Sequence, residues 1–226
     1  MSHNELPVLG LDTNPLTLPP EGLRSWRELE RVAATCTACR LHTQRTKVVF
    51  GEGDPEADLM VVGDAPGRTE DLLGKPCVGA AGNLLDNLLG EAGFERDRVY
   101  LTSVVKCHPR DETPDRTVVD TCSPYLVEQI AHVRPRVIVT LGPVAAGLLL
   151  RRPVPLDKVA GFRFDVFGGV TLIPTFHPAG VIKGNQQAIA MIRRDLMTAR
   201  AVLEGRLSTG AEAMAELRSR AASASA

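Results

Sequence analysis

Four of the five cysteines are spaced in a way that could bind a metal. Cys36 and Cys39 form a C-x-x-C pair, and Cys107 and Cys122 lie far downstream. Soft thiolates suit Zn²⁺ or an iron–sulfur cluster, provided that the fold brings the two pairs together. The alternative is that some of them are buried thiols without a ligand role. The spacing alone favours neither interpretation and leaves zinc and iron–sulfur open. Cys77 stands apart from these four and is not counted as a ligand.

A second candidate site is the loop GDAPGRTEDLLGKPCVGAAG, residues 63–82, which follows the apolar run LMVVG. A Gly/Pro-rich loop at the carboxyl end of a strand is where open α/β sheets bind ligands. Its acids Asp64 and Glu70 could act on such a ligand, whereas acids on an ordinary surface are simply solvated. The loop context therefore makes these two carboxylates candidates for acid–base chemistry.

The elements that must position these residues alternate between strand and helix. Apolar runs predict buried strands at 59–63, 99–105 and 136–142, and FRFDVFGGVTLIPTF predicts a hairpin whose second arm joins the sheet. Helices are predicted in SWRELERVAAT, NLLDNLLGEAG, VVDTCSPYLVEQIAHV and QAIAMIRRDLMTARAVLEG. This alternation predicts an α/β fold with a parallel sheet between helices. Three loops, residues 63–82, 103–114 and 176–185, should then converge at one edge of the sheet.

The composition narrows the class of protein. The chain has 226 residues, 44% of them hydrophobic, and a net charge of −1. Because there is no overall basic excess, any contact with nucleic acid must come from a local patch. The N-terminus lacks the pattern of a signal peptide, which predicts a cytoplasmic protein with reduced cysteines. We expect a flexible arm at residues 1–20, a single domain at 21–204 and an Ala/Ser-rich tail at 205–226.

The motifs together resemble the uracil-DNA glycosylase superfamily, and most closely its iron–sulfur group, family 4. The matching segments, in order, are CTAC, GDAPGRTED, GKPCVGAAG, TSVVKC, TCSP and FHPA, which span about residues 30–203. The resemblance implies a three-layer α/β/α fold with a central, mainly parallel four-stranded sheet. It also implies a [4Fe–4S] cluster on the four spaced cysteines, and hydrolysis of the N-glycosidic bond of deoxyuridine in base-excision repair by a monomer.

The chemistry of such an enzyme assigns roles to the loop residues. The target base must leave the stack and enter a pocket, and negative charge then develops on the departing uracil. His177 in FHPA is the candidate donor to uracil O2, in the manner of an oxyanion hole. Asp64 and Glu70 are the candidates to stabilise the sugar cation or orient water. The backbones of Ala65 and Gly67 would line the pocket.

Asp64 stands where the family usually has Glu, and two further departures from the family pattern affect base recognition. Cys77 replaces a Phe that stacks on uracil, and Ser103 replaces an Asn that reads its edge. Stacking and paired hydrogen bonds are each worth about 1–3 kcal/mol. Three interpretations follow: a uracil glycosylase that tolerates both changes, a glycosylase for other deaminated bases such as hypoxanthine or xanthine, or a DNA-binding module without excision. A small-molecule hydrolase would leave the four cysteines unexplained.

Basic residues next to the cysteines predict a DNA-binding face. If the cysteine segments meet, these residues would contact phosphates together, although an ordinary solvated surface is the alternative. The loop after FHP could add an apolar wedge and one more phosphate contact. The predicted DNA contacts are Arg40, Lys47, Lys106, Arg110, Val181, Ile182 and Lys183.

Overall fold

The computed structural model of the protein describes residues 24–110, 113–182 and 186–215. The predicted arm at residues 1–20 lies outside the described residues. None of the helices in the described ranges has the length and apolar character needed to cross a membrane. All five cysteines are free thiols.

The sheet has six strands in the order β1-β3-β2-β4-β6-β5. The inner four strands are mutually parallel, and β1 and β5 add antiparallel edges. A mainly parallel sheet is therefore confirmed, whereas the expected count of four is wrong because it covers only the parallel core. The strands are β1 (Glu52–Gly53), β2 (Leu59–Gly63), β3 (Val99–Ser103), β4 (Val137–Leu141), β5 (Phe164–Val166) and β6 (Val170–Thr175).

Helices connect the parallel strands and cover both faces of the sheet. The first begins at the predicted N-cap, where Ser25 Oγ accepts a hydrogen bond from the backbone N–H of Glu28 at 3.3 Å. Short 3₁₀ turns lie at Arg40–Thr43 and Arg96–Arg98. The α-helices are α1 (Trp26–Ala34), α2 (Arg68–Leu73), α3 (Ala80–Glu91), α4 (Arg116–Val133), α5 (Pro143–Leu149), α6 (Leu156–Val159), α7 (Pro178–Ile182) and α8 (Gln186–Leu203).

Two hydrophobic cores lie on opposite faces of the sheet. Strand side chains alternate between faces, so Met60 and Val62 pack against α4 and α5, while Leu59 and Val61 pack against α3 and α8. The three-layer α/β/α arrangement follows from this alternation and is confirmed.

The parallel strands bring their carboxyl ends to one edge of the sheet. Gly63 pairs with Ser103 on one side and with Leu141 on the other, and Leu141 pairs with Thr175. The loops that follow β2, β3 and β6 therefore begin side by side. The predicted convergence is confirmed for the points at which the three loops begin.

The chain beyond α8 returns to the antiparallel edge. Arg163 donates to Ser208 Oγ at 2.9 Å, and the N–H of Gly210 donates to Thr171 Oγ1 at 2.8 Å. Residues 210–215 then form a helical turn. The first part of the predicted tail thus contacts the sheet.

Two glycines of α3 provide a matched test of the packing between this helix and the loop before it. A Cβ on Gly82 would lie 2.0 Å from the carbonyl oxygen of Cys77, whereas a Cβ on Gly90 would meet nothing within 4 Å. We expect Gly82→Ala to lower the free energy of unfolding by about 1–3 kcal/mol. Gly90→Ala should raise it by about 0.5–1 kcal/mol, because alanine favours a helix. Urea denaturation measures both, and equal effects would contradict the tight contact.

Candidate active site

His177 follows β6 at the edge where the loops converge. Its Nδ1 accepts a hydrogen bond from the backbone N–H of Ala179 at 3.1 Å, which assigns the ring proton to Nε2. Burial lowers the pKa of His177, and the charge of Glu70 opposes this only in part. The ring is therefore neutral at physiological pH and can donate through Nε2.

The Nε2 atom lies beside the ends of β2 and β3. A Cβ placed on Gly63 would be 3.8 Å from His177 Nε2 and 3.9 Å from Ser103 Cβ. Within the described ranges, no hydrogen-bond acceptor for Nε2 is found. The donor is thus left for a ligand at this edge.

Glu70 closes the loop 63–82 onto the start of α3. Its Oε1 accepts the backbone N–H groups of Val78 at 3.1 Å and Gly79 at 3.2 Å. A Cβ on Gly67 would lie 2.6 Å from Glu70 Oε2. The absence of a side chain on Gly67 therefore makes room for the carboxylate of Glu70.

Asp64 lies against the start of α5. Its Oδ1 accepts the N–H of Ala145 at 2.7 Å, and a Cβ on Gly142, whose φ is +109°, would lie 2.3 Å from Oδ2. Burial raises the pKa of Asp64 to about 6, although the N–H groups of Ala145 and Val144 favour its charged form. The carboxylate is thus held in place and titrates close to neutral pH.

Cys77 is held by an arginine that sequence reasoning missed. Its backbone has a φ of +50°, and Arg96 donates to its carbonyl oxygen at 3.2 Å and to that of Pro76 at 2.9 Å. Arg96 also pairs with Asp86. Burial raises the pKa of the Cys77 thiol to about 12, so it is protonated and weakly nucleophilic. Arg96 lies in a turn between α3 and β3, and only the fold brings it to this loop.

Ser103 and Ala65 occupy less reactive positions at the same edge. Ser103 is buried, and its hydroxyl donates to the carbonyl oxygen of Val105 at 2.7 Å. Its oxygen can then only accept from a ligand. Ala65 packs against the core on the α4 side.

The other four cysteines line one small cavity. Arg45 donates to the carbonyl oxygen of Cys36 at 2.7 Å and to Cys107 Sγ at 3.6 Å. The N–H of Lys106 donates to Cys122 Sγ at 3.3 Å. In the described ranges, no three His, Cys, Asp or Glu side chains are grouped as ligands of a single metal ion. The fold thus brings Cys36, Cys39, Cys107 and Cys122 to a common space.

Asp71 connects the cysteine segment to α2. It is buried, and its two carboxylate oxygens accept the N–H of Thr46 at 2.9 and 3.0 Å, while Oδ1 also accepts that of Lys47 at 3.4 Å. Sequence reasoning gave this acid no part in the site, and only its direct adjacency to Glu70 distinguished it.

The prediction that Lys106 contacts DNA is wrong because its side chain lies in the core, 2% exposed. Its Nζ donates to Thr102 Oγ1 at 2.7 Å and to Ser103 O and Gln129 Oε1 at 2.6 Å. Burial lowers the pKa of Lys106 to about 7. It supports the end of β3 instead.

The remaining predicted DNA contacts differ in their surroundings. Arg40 and Arg110 are exposed; Arg40 pairs with Asp115 at 3.1 Å, and Arg110 donates to the carbonyl oxygen of Gln44 at 2.8 Å. Lys47 is exposed. The backbones of Val181 and Ile182 belong to α7, but their side chains and all of Lys183 lie outside the described residues.

The amino-acid sequence is similar to those of known uracil-DNA glycosylases. Residues 50–198 match the family model of the Uracil DNA glycosylase superfamily. A Type-4 uracil-DNA glycosylase of Thermotoga maritima is 42% identical over 70% of this chain and 83% of its own length. One of Pyrobaculum aerophilum is 41% identical over 70% and 84%. A Type-5 uracil-DNA glycosylase of Thermus thermophilus is 31% identical over 69% and 78%.

The pKa of Asp64 predicts a specific dependence of stability on pH. Between pH 5 and 7.5 the folded protein loses the Asp64 proton, whereas the unfolded chain is already ionised, so the free energy of unfolding falls as the pH rises. We expect this contribution to be about 1–2 kcal/mol. It should be absent in Asp64→Asn, whose amide oxygen can still accept from Ala145. Urea denaturation of both proteins at the two pH values measures it. The same pH dependence in both would contradict the raised pKa.

Proposed function

Because the chain belongs to the uracil-DNA glycosylase superfamily, we propose that it hydrolyses the N-glycosidic bond of deoxyuridine in DNA, leaving an abasic site for base-excision repair. The observation that carries this proposal is the neutral His177, whose Nε2–H faces the site at the ends of β2 and β3. DNA is the substrate, and the base enters this site after leaving the stack.

The imidazole would stabilise the departing base. As the bond from C1′ of the sugar to N1 of uracil breaks, the electron pair moves onto the base and charge collects on O2. The Nε2–H of His177 donates a hydrogen bond to that oxygen while the ring itself stays neutral. A preorganised donor in a partly buried site is more effective than water, which must reorient. The N–H of Ala179 holds the ring in the required tautomer.

The two carboxylates would serve the sugar and the attacking water. Above pH 6 Asp64 is ionised and stabilises the positive charge that develops on the sugar. Water then forms the new bond to C1′, and its released proton balances the charge of the uracil anion. Glu70 binds both loop N–H groups through Oε1, which leaves Oε2 to orient that water.

Ser103 favours a second candidate, a glycosylase with a different preferred base. Since its hydroxyl proton is committed to Val105, Ser103 can only accept from the base, for example from N3–H of uracil. It cannot reproduce the paired donor and acceptor of an asparagine. Other deaminated bases, such as hypoxanthine and xanthine, are the alternative substrates to test.

The four cysteines that line one cavity would hold a [4Fe–4S] cluster. Each iron of such a cluster takes its own thiolate, so the sulfurs are spread wider than around one zinc ion. The four thiols agree with this wider spacing, because they line a common cavity. In the described residues they do not form a site for a single metal ion. N–H donors at Cys107 and Cys122 suit thiolate sulfurs. When bound, the cluster would tie its four ligand positions together as a structural group.

DNA binding would involve the exposed basic residues near this cavity. Arg110 donates to the carbonyl oxygen of Gln44, and this hydrogen bond joins the segment after Cys39 to the segment after Cys107. It supports a common face for Arg40, Lys47 and Arg110. The wedge at Val181 and Ile182, the phosphate contact of Lys183, the monomeric state and the cytoplasmic location stay predictions.

Replacing His177 tests the proposed activity. Free base released from single-stranded oligonucleotides carrying uracil, hypoxanthine or xanthine is measured by chromatography, with cluster-loaded protein. We expect uracil release by the wild type and a loss of about 10²–10³-fold in single-turnover rate for His177→Gln. His132→Gln is the control, because His132 lies on α4 and contacts the carbonyl oxygen of Arg24. Release of another base alone would favour the second candidate, and release of none would contradict both.

Single cysteine replacements test the cluster. Anaerobically purified wild type should contain about four irons and sulfides per chain, with broad visible absorbance. Alanine at any of the four cavity cysteines should lower the iron content and the melting temperature. Cys77→Ala should leave the iron content unchanged, because Cys77 packs against the core on the α3 side. One tightly bound zinc in place of iron would contradict the assignment.

A further inference from the structure

Helix α2 buries an acidic side chain and exposes two leucines, which is the reverse of an ordinary surface helix. Its Asp71 is 5% exposed, whereas Leu72 and Leu73 are each 54% exposed. A surface helix normally buries its leucines and solvates its acids. Two adjacent exposed leucines therefore need a reason.

The orientation of α2 is imposed by its acids. The carboxylate of Glu70 accepts two backbone N–H groups from the loop before α3, and that of Asp71 accepts those of Thr46 and Lys47. These hydrogen bonds fix the rotation of the helix about its axis. The leucines at the next two positions consequently face away from the protein.

The exposed leucines share a helix with the candidate active-site residue Glu70 and lie near basic groups. Glu70, on the same helix, acts electrostatically on His177. Immediately after Leu73, a Cβ on Gly74 would lie 3.1 Å from Cδ of the exposed Lys47. Arg68 at the start of α2 is also exposed. The two leucines could contact the apolar faces of DNA bases, and the nearby cations Lys47 and Arg68 could contact phosphates.

We propose that Leu72 and Leu73 form an apolar wedge that packs against the DNA bases next to the extruded nucleotide. This inference rests on the proposed function only in taking DNA as the ligand. Unstacking a base step costs a few kcal/mol, and apolar side chains that enter the gap offset that cost. The acids inside α2 hold the wedge in place, and Lys47 and Arg68 contact the flanking phosphates.

Fluorescence of 2-aminopurine tests the wedge independently of excision. The probe is a duplex with 2-aminopurine next to a tetrahydrofuran abasic analogue, which the protein cannot cleave. We expect wild type to raise the fluorescence by unstacking the reporter. Leu72→Ser/Leu73→Ser should abolish this rise and bind about tenfold more weakly or worse. The matched control is Met197→Ser/Leu207→Ser, which replaces two side chains 46% and 42% exposed and should behave as wild type.

Three results would overturn the inference. The first is a leucine variant that binds the DNA and raises the 2-aminopurine fluorescence as the wild type does. The leucines would then be available to bind a protein partner instead. The second is a lower melting temperature in that variant than in the control, since the leucines would then be covered by the protein itself. The third is an equal loss in the control. Release of uracil by wild type, measured separately, decides the proposed function, so either proposal can fail while the other holds.

Discussion

The inward orientation of two adjacent carboxylates, Glu70 and Asp71, is the constraint on which the site depends. Asp71 binds the N–H of Thr46, whose neighbour Arg45 reaches Cys107 in the cysteine cavity. Glu70 binds the start of α3 and lies close enough to influence His177. The short helix α2 thus connects the segment next to the cysteine cavity with the start of α3 and with His177. Loss of either carboxylate would remove the hydrogen-bond acceptor of two backbone N–H groups and so loosen the attachment of α2.

The site also depends on the parallel sheet, which brings the starts of several loops together at one partly buried edge. Burial disfavours the charged forms of His177 and Asp64, and the surroundings of the two groups differ. His177 stays neutral and uses its N–H as a donor. Asp64 has backbone N–H donors from α5, yet its pKa remains at about 6. These two groups are therefore in the states that cleavage of a glycosidic bond needs near neutral pH.

The sequence predicted the elements with strong patterns and missed those that depend on tertiary contacts. The apolar runs located β2, β3 and β4, and the loop positions singled out Asp64 and His177. The two-residue strand β1 is too short to carry a periodic signal. The position of Lys106 next to Cys107 predicts a DNA contact, but its side chain is buried among acceptors on Thr102 and Gln129, which come from two separate elements. Arg96 and the exposed leucines of α2 likewise become apparent only in the folded protein.

The central claim is that a neutral His177 presents Nε2–H to the departing base. The most direct measurement is ¹⁵N NMR of the imidazole in the cluster-loaded protein, assigned by comparison with His177→Gln. At pH 7 the spectrum should show a neutral ring protonated at Nε2, with Nδ1 as a hydrogen-bond acceptor. An imidazolium at pH 7, or a neutral ring protonated at Nδ1, would contradict this assignment.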